Sequence, residues 1–230
     1  MTQPERDYWP TQDWRTAVPE EHGMDGTMLA NIRDVGARTE PPATGVLVVR
    51  RGYMLCEEYF NGAGPSMYNP INSATKSVTS ALIGIARRDG LLGDLDEPVA
   101  SFFPEIALDD ERKRRISLRH LLTMTSGFVD VDRSDLERVL RADDPVRFIW
   151  QRPMACEPGR HFSYDDAALQ LLSIILSRVT GTSAAEYAKR ELFEPLGIWP
   201  DTAQAGWRIP APPAGSVPPF GASWPPTGLR

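Results

Sequence analysis

The sequence predicts an α+β fold in which an antiparallel hairpin near the N-terminus precedes a mostly helical stretch. Three observations carry this. Two short β-type runs, GVLVVR (45–50) and YMLCEEYF (53–60), flank Arg51-Gly52, a hairpin signal. Several segments between 73 and 193 place apolar residues at helical spacing and end at Gly or polar stops. One of them, AALQLLSIILSRVTG (167–181), is apolar nearly all round, which puts it in the interior.

In chain order, residues 1–23 are polar, contain proline and form an irregular lead-in. Met28, Leu29, Ile32 and Val35 recur at helical spacing, so 25–37 is expected as one helix. After the hairpin, NGAGPSMYNP (61–70) has loop composition. Residues 73–89 read as a helix with Val78, Leu82, Ile85 and Ala86 on one face and Gly90 as its stop. Ser117 caps a helix through Thr123, and 134–141 and 145–151 are two further short helices. Ser183 caps a last helix that runs to about Phe193. From 208 onward seven prolines in 23 residues, without periodicity, give an irregular or polyproline-like tail.

The chain has 230 residues, 41% hydrophobic and 24% charged, enough for one large domain or two small ones with a buried core. Its net charge of −6 disfavours nucleic acid and anionic membranes as partners, since both attract basic surfaces. No apolar run reaches membrane-spanning length, and MTQPERDYWP lacks the charged and apolar regions of a secretory signal, so a cytoplasmic location is expected. Cys56 and Cys156 match no metal or disulfide spacing, and His22, His120 and His161 are scattered, so no metal or cofactor is implied.

Chemistry is suggested by NSATKS (72–77), where Ser73 and Lys76 stand three apart at a helix start. Residues three apart share a helix face. The positive end of the helix dipole favours an alkoxide or oxyanion. A lysine one turn on can take the serine proton if burial lowers its pKa. Lysine is scarce here, three among 25 basic residues, so its presence at this position is informative, because arginine cannot give up its proton. Ser-x-x-Lys nevertheless arises about once by chance in a chain of this length. On these two residues alone, a helix-capping serine beside a solvated lysine outweighs catalysis. Tyr164-Asp165-Asp166 offers a phenol and a carboxylate that could serve as acid or base; in isolation, a packing tyrosine with Asp165 or Asp166 as helix cap outweighs that reading too.

The context of the two sites changes the balance. NSATKSVTSALIGIARRDGLLGDLDEPVASFFPE, RISLRHLLTMTSGF and EPGRHFSYDDAALQLLSIILSRVTG occur in that order. Together they resemble the serine β-lactamase-related family, which includes class C β-lactamases, D-amino-acid peptidases, β-lactamase-like esterases and 6-aminohexanoate-dimer hydrolases. WRTAVPEEHGMDGTML resembles the lead-in of its hydrolase and esterase branch, and the resemblance covers roughly residues 14 to 200.

The resemblance implies a β-lactamase/transpeptidase-like fold, an antiparallel sheet flanked by helices plus a mostly helical subdomain. On it, 24–207 is the family domain with its helical subdomain at about 91–200, between the 1–23 lead-in and the 208–230 tail. It implies Ser73 as acyl-accepting nucleophile, Lys76 as its proton partner and Tyr164 as the acid that protonates the leaving group. Asp166 falls at a substrate-binding position where the family's Tyr-x-Asn motif usually has asparagine. An ionised carboxylate cannot donate to a substrate carbonyl, and it could instead pair Lys76 and raise its pKa.

The family's third motif, Lys-Thr-Gly or His-x-Gly, has no counterpart after Trp207; the last lysine is Lys189 and the last histidine is His161. The chain thus resembles the N-terminal two-thirds of such an enzyme with a tail of foreign composition. A frameshifted or truncated reading frame is the expected cause, which sequencing the encoding DNA tests. The sheet is then incomplete, with unpaired edges. The expected function is a serine hydrolase acting on a small-molecule ester or amide through an acyl-enzyme at Ser73. The alternative is a non-catalytic truncated remnant or binding module of the same fold. Oligomeric state is not legible.

Overall fold

The computed structural model describes residues 8–36, 38–65, 67, 71–129 and 133–198. The proline-rich tail from 208 and the first seven residues of the lead-in lie outside them, as does part of the 61–70 loop. The described residues fall into two compact units, one made of residues up to 71 with 193–198, the other of 72–192.

The first unit holds the hairpin. A short turn of 3-10 helix, Pro19–His22, starts on a proline and stops at Gly23 in the left-handed conformation. Helix α1 (Gly26–Ala30) follows, its free N–H groups met by Asp25, whose carboxylate accepts from Thr27 and Met28. Helix α2 (Ile32–Gly36) begins after a break at Asn31. The single helix expected over 25–37 is therefore two short ones. The stripe that suggested it is not buried along its length: Met28 and Val35 are both exposed. Without burial of that stripe, little sustains a helix this short.

Strands β1 (Gly45–Arg50) and β2 (Tyr53–Tyr59) pair antiparallel, from Gly45 opposite Tyr59 to Arg50 opposite Tyr53. Arg51 and Gly52 both take positive φ, 52° and 91°. That is the backbone a two-residue hairpin requires to match the twist of its strands. The register shifts once, between Val48 and Val49. Among the described residues the sheet has these two strands, with Leu47 and Val49 exposed on it.

In the second unit a 3-10 turn, Asn72–Ala74, leads into helix α3 (Thr75–Arg88), which buries Thr79, Leu82, Ile83 and Ala86. Two 3-10 turns, Val99–Phe102 and Glu111–Arg115, carry the connector. Helix α4 (Leu118–Leu122) starts on a reciprocal cap, in which Ser117 and His120 each satisfy the other's backbone N–H. Helices α5 (Arg133–Arg141) and α6 (Pro145–Trp150) come next, the second capped by Asp144.

Helix α7 (Asp166–Thr180) buries nine residues and is contacted by α3, α4, α5 and α6, and by α8 (Ala184–Ala188). It occupies the interior that its all-round apolar sequence requires. Gly181 ends it at φ 68°. Helix α8 is capped by Ser183 and continues as a wider turn over Lys189–Phe193. Phe103, Phe128 and Trp150 close the far side of this core, Trp150 meeting the two phenylalanine rings edge-on at 6.3 and 6.2 Å. Lys113 is also buried there. Its ammonium donates to Asp109 and to the Trp150 carbonyl, 2.5 Å each, so the charge is fully compensated.

Candidate active site

Two segments of the helical unit build the site. The first is the entry to α3. Asn72 has a φ of 43°, an uncommon value for a residue with a side chain. The kink turns the chain into the Asn72–Ala74 turn, so Ser73 sits one residue ahead of Ala74, the cap of α3, and not within the helix as its sequence suggests. The tighter 3-10 winding still serves the pair, because residues i and i+3 eclipse in it. The Lys76 ammonium donates to Ser73 Oγ at 3.1 Å.

The second segment, 157–166, is fastened from behind by the 124–129 loop. Ser163 N–H donates to the Met124 carbonyl at 2.9 Å, and Gly159 N–H to that of Thr125 at 2.8 Å. The N–H groups of Ala155 and Cys156 both donate to the Gly127 carbonyl, at 2.9 and 3.2 Å. Gly127 itself has φ 85°, and a Cβ there would stand 2.6 Å from the Cys156 carbonyl oxygen. Only glycine fits that approach.

This bracing delivers Tyr164 and Asp166 to the first segment. The Tyr164 hydroxyl lies 2.6 Å from Ser73 Oγ, and either can be the donor. The Tyr164 ring also faces the Lys76 ammonium, 4.8 Å from its centroid. Asp166, the first residue of α7, places Oδ1 2.5 Å from Lys76 Nζ. All four residues singled out in the sequence thus converge. Lys76 is the hub, with its ammonium shared among serine, phenol and carboxylate.

The electrostatics follow from those contacts. Partial burial pulls the Lys76 pKa down, but hydrogen bonds to Asp166 and Tyr164, with the charge of Asp166, together outweigh it and hold the pKa above the ordinary lysine value. The resting site therefore contains an ammonium. That is the effect anticipated for a carboxylate in place of asparagine at 166.

The tyrosine motif also contains an arrangement its sequence did not separate. Asp165, not Asp166, caps α7, accepting from Ala168 N–H at 2.9 Å. Its carboxylate is buried against Arg152, 2.9 Å away. Arg152 carried no sequence signal: it lies 13 positions from its partner, in a loop without periodicity.

The chain is similar to several known proteins. The family model described as Beta-lactamase matches residues 28–214. A lovastatin esterase from Penicillium rubens is 30% identical over 149 residues, 55% of this chain and 37% of that protein. A monacolin J acid methylbutanoyltransferase from Aspergillus terreus is 32% identical over 148 residues, 55% of this chain and 35% of that protein. The chain thus matches little more than a third of the length of these relatives. Among solved structures, the octameric penicillin-binding protein homologue from Pyrococcus abyssi superposes with a TM-score of 0.61 at 24% identity, covering 76% of this chain and 44% of that one. The likeness is one of fold, β-lactamase/transpeptidase-like, here with helices and a two-stranded antiparallel sheet among the described residues.

Proposed function

We propose, on the premise that the chain belongs to the beta-lactamase family, that it is a serine hydrolase working through an acyl-enzyme at Ser73. The observation that carries this is the contact of Ser73 Oγ with both the Tyr164 hydroxyl, at 2.6 Å, and the Lys76 ammonium, at 3.1 Å.

In the proposed reaction the Lys76–Tyr164 pair first releases one proton to solvent; Ser73 Oγ then bonds to the substrate carbonyl carbon while its own proton passes to the vacated position on that pair. The tetrahedral intermediate collapses as Tyr164 returns a proton to the leaving oxygen or nitrogen. Water then attacks the acyl-serine by the reverse path and restores Ser73. Ester substrates suit this chain better than amides. The two relatives described above bear names for ester chemistry, one an esterase and one an acyltransferase. An ester carbonyl is also a better electrophile than an amide carbonyl, which matters where Lys76 rests protonated and its base form is scarce.

The test is hydrolysis of a short-chain p-nitrophenyl ester, together with labelling by a fluorophosphonate, for the parent and Ser73→Ala. Parent turnover and labelling that Ser73→Ala abolishes support the assignment. Equal rates in both proteins remove Ser73 from the mechanism.

A second reading draws on the Lys76–Asp166 pair. A base locked as an ammonium suits a module that binds small esters or amides and does not turn them over. Folded parent protein that binds a substrate amide but takes no fluorophosphonate label would favour it.

A further inference from the structure

We propose that Arg152 is a positioning residue for the active site, setting Tyr164 and Asp166 onto Lys76 through the carboxylate of Asp165 that lies between them in the chain. As a statement about catalysis this rests on the serine-hydrolase reading above. As a statement about geometry it does not.

The Arg152 and Asp165 side chains are only 9% and 4% exposed. Arg152 Nη1 donates to Asp165 Oδ1 at 3.0 Å and lies 2.9 Å from Oδ2, so it spans both carboxylate oxygens. Its other nitrogen, Nη2, donates to the Val129 carbonyl at 3.0 Å, and the guanidinium lies over the Phe128 ring, 4.8 Å from the centroid. One cation therefore joins the 124–129 loop to the start of α7. Asp165 is doubly committed, since it also accepts from Ala168 N–H as the cap of α7.

The consequence lies in the neighbours of Asp165. Tyr164 precedes it and reaches Ser73; Asp166 follows it and reaches Lys76. With Asp165 held from one side by Arg152 and from the other by the helix end, its two neighbours have little freedom about the backbone between them. The buried pair is a costly device if stability alone were its role, because an apolar pair of similar volume serves stability as well or better. A planar guanidinium that holds the carboxylate with one nitrogen and the Val129 carbonyl with the other fixes the orientation of Asp165 as well as its place.

The test uses the full chain and two readouts. The first is the titration of the Lys76 ammonium by NMR with labelled lysine, tractable because the sequence has only three lysines. The second is the rate of fluorophosphonate labelling at Ser73. In Arg152→Ala, loosened contacts to Asp166 and Tyr164 move the Lys76 titration downward, and the labelling rate falls by about tenfold or more, since a displacement near 1 Å costs up to about a hundredfold. Arg152→Lys restores part of both, having the charge without the fork.

Asp165→Asn keeps a capping oxygen for Ala168 but removes the negative partner of Arg152, and it reproduces the Arg152→Ala titration shift. It also carries the test if Arg152→Ala fails to fold. A folded Arg152→Ala or Asp165→Asn with unchanged Lys76 titration overturns the positioning role. If the parent itself takes no label, the hydrolase reading fails, while the titration still decides the positioning role.

Discussion

Lys76 and Asp166 form an ion pair, Nζ to Oδ1 2.5 Å, inside the site where Lys76 also donates to Ser73 Oγ. The pair sets the resting protonation of the group that shares the serine proton. In Asp166→Asn the carboxylate's support is gone and partial burial remains, so the Lys76 pKa falls. Each unit of that fall raises the fraction of neutral lysine about tenfold near neutral pH. Fluorophosphonate labelling of Asp166→Asn should therefore outpace the parent at neutral pH, with its pH–rate profile displaced to lower pH. A profile superimposable on the parent's would show that Asp166 does not control the base.

The same pair predicts an alkaline loss of stability. Lys76 has a folded pKa above its ordinary value of 10.5. Its contribution is fully present below that value and is lost as the pH rises through the higher folded one. Urea melts of the parent should show this component unchanged from neutral to mildly alkaline pH and fading above 10.5, whereas Asp166→Asn should lack the fade.

Asp110 gives the opposite sign at the acid end. Hydrogen bonds from the Arg112 side chain and backbone N–H lower its carboxyl from 3.8 to about 2. Its contribution is present above 3.8 and lost as the pH falls toward about 2. Acid melts of the parent and Asp110→Asn should differ above that window and converge at its lower end. The group is only half-buried and lies near solvent, so the difference should be small and sensitive to salt.

Gly127→Ala tests the brace behind Tyr164. The new Cβ would meet backbone, the Cys156 carbonyl at 2.6 Å, at a φ of 85°. Backbone cannot yield as a flexible side chain can, so a loss of about 1–3 kcal/mol in denaturant melts is expected. Slower labelling at Ser73 should accompany it, since the 157–166 segment hangs from this loop.

Leu171→Ala tests the core that carries α7. Leu171 is fully buried, so truncation should cost about 2–5 kcal/mol by urea denaturation. The Lys76 titration should stay close to the parent's in protein that remains folded, because Leu171 makes none of the polar contacts of the site.

Features with local causes were readable from the sequence. Arg51-Gly52 dictated a hairpin because its two residues must take positive φ, and Ser117, Ser183 and Gly181 marked helix ends because capping is settled within one turn. The Ser73–Lys76 spacing was readable for the same reason. The apolar stripe over 25–37 misled as to helix length, because periodicity reports which residues could be buried together, not whether a partner surface buries them.

The sequence by itself determined the residue types of the site, the family blocks that surround them and the local turns that begin and end the helices. Only the tertiary structure decided how the tyrosine motif divides its work. Asp165 turns inward to cap α7 and pair Arg152, while Asp166 turns to Lys76. Two adjacent aspartates are chemically identical in a sequence. Which one is buried depends on the helix phase and on a guanidinium brought from a distant loop, and both exist only once α7 is packed.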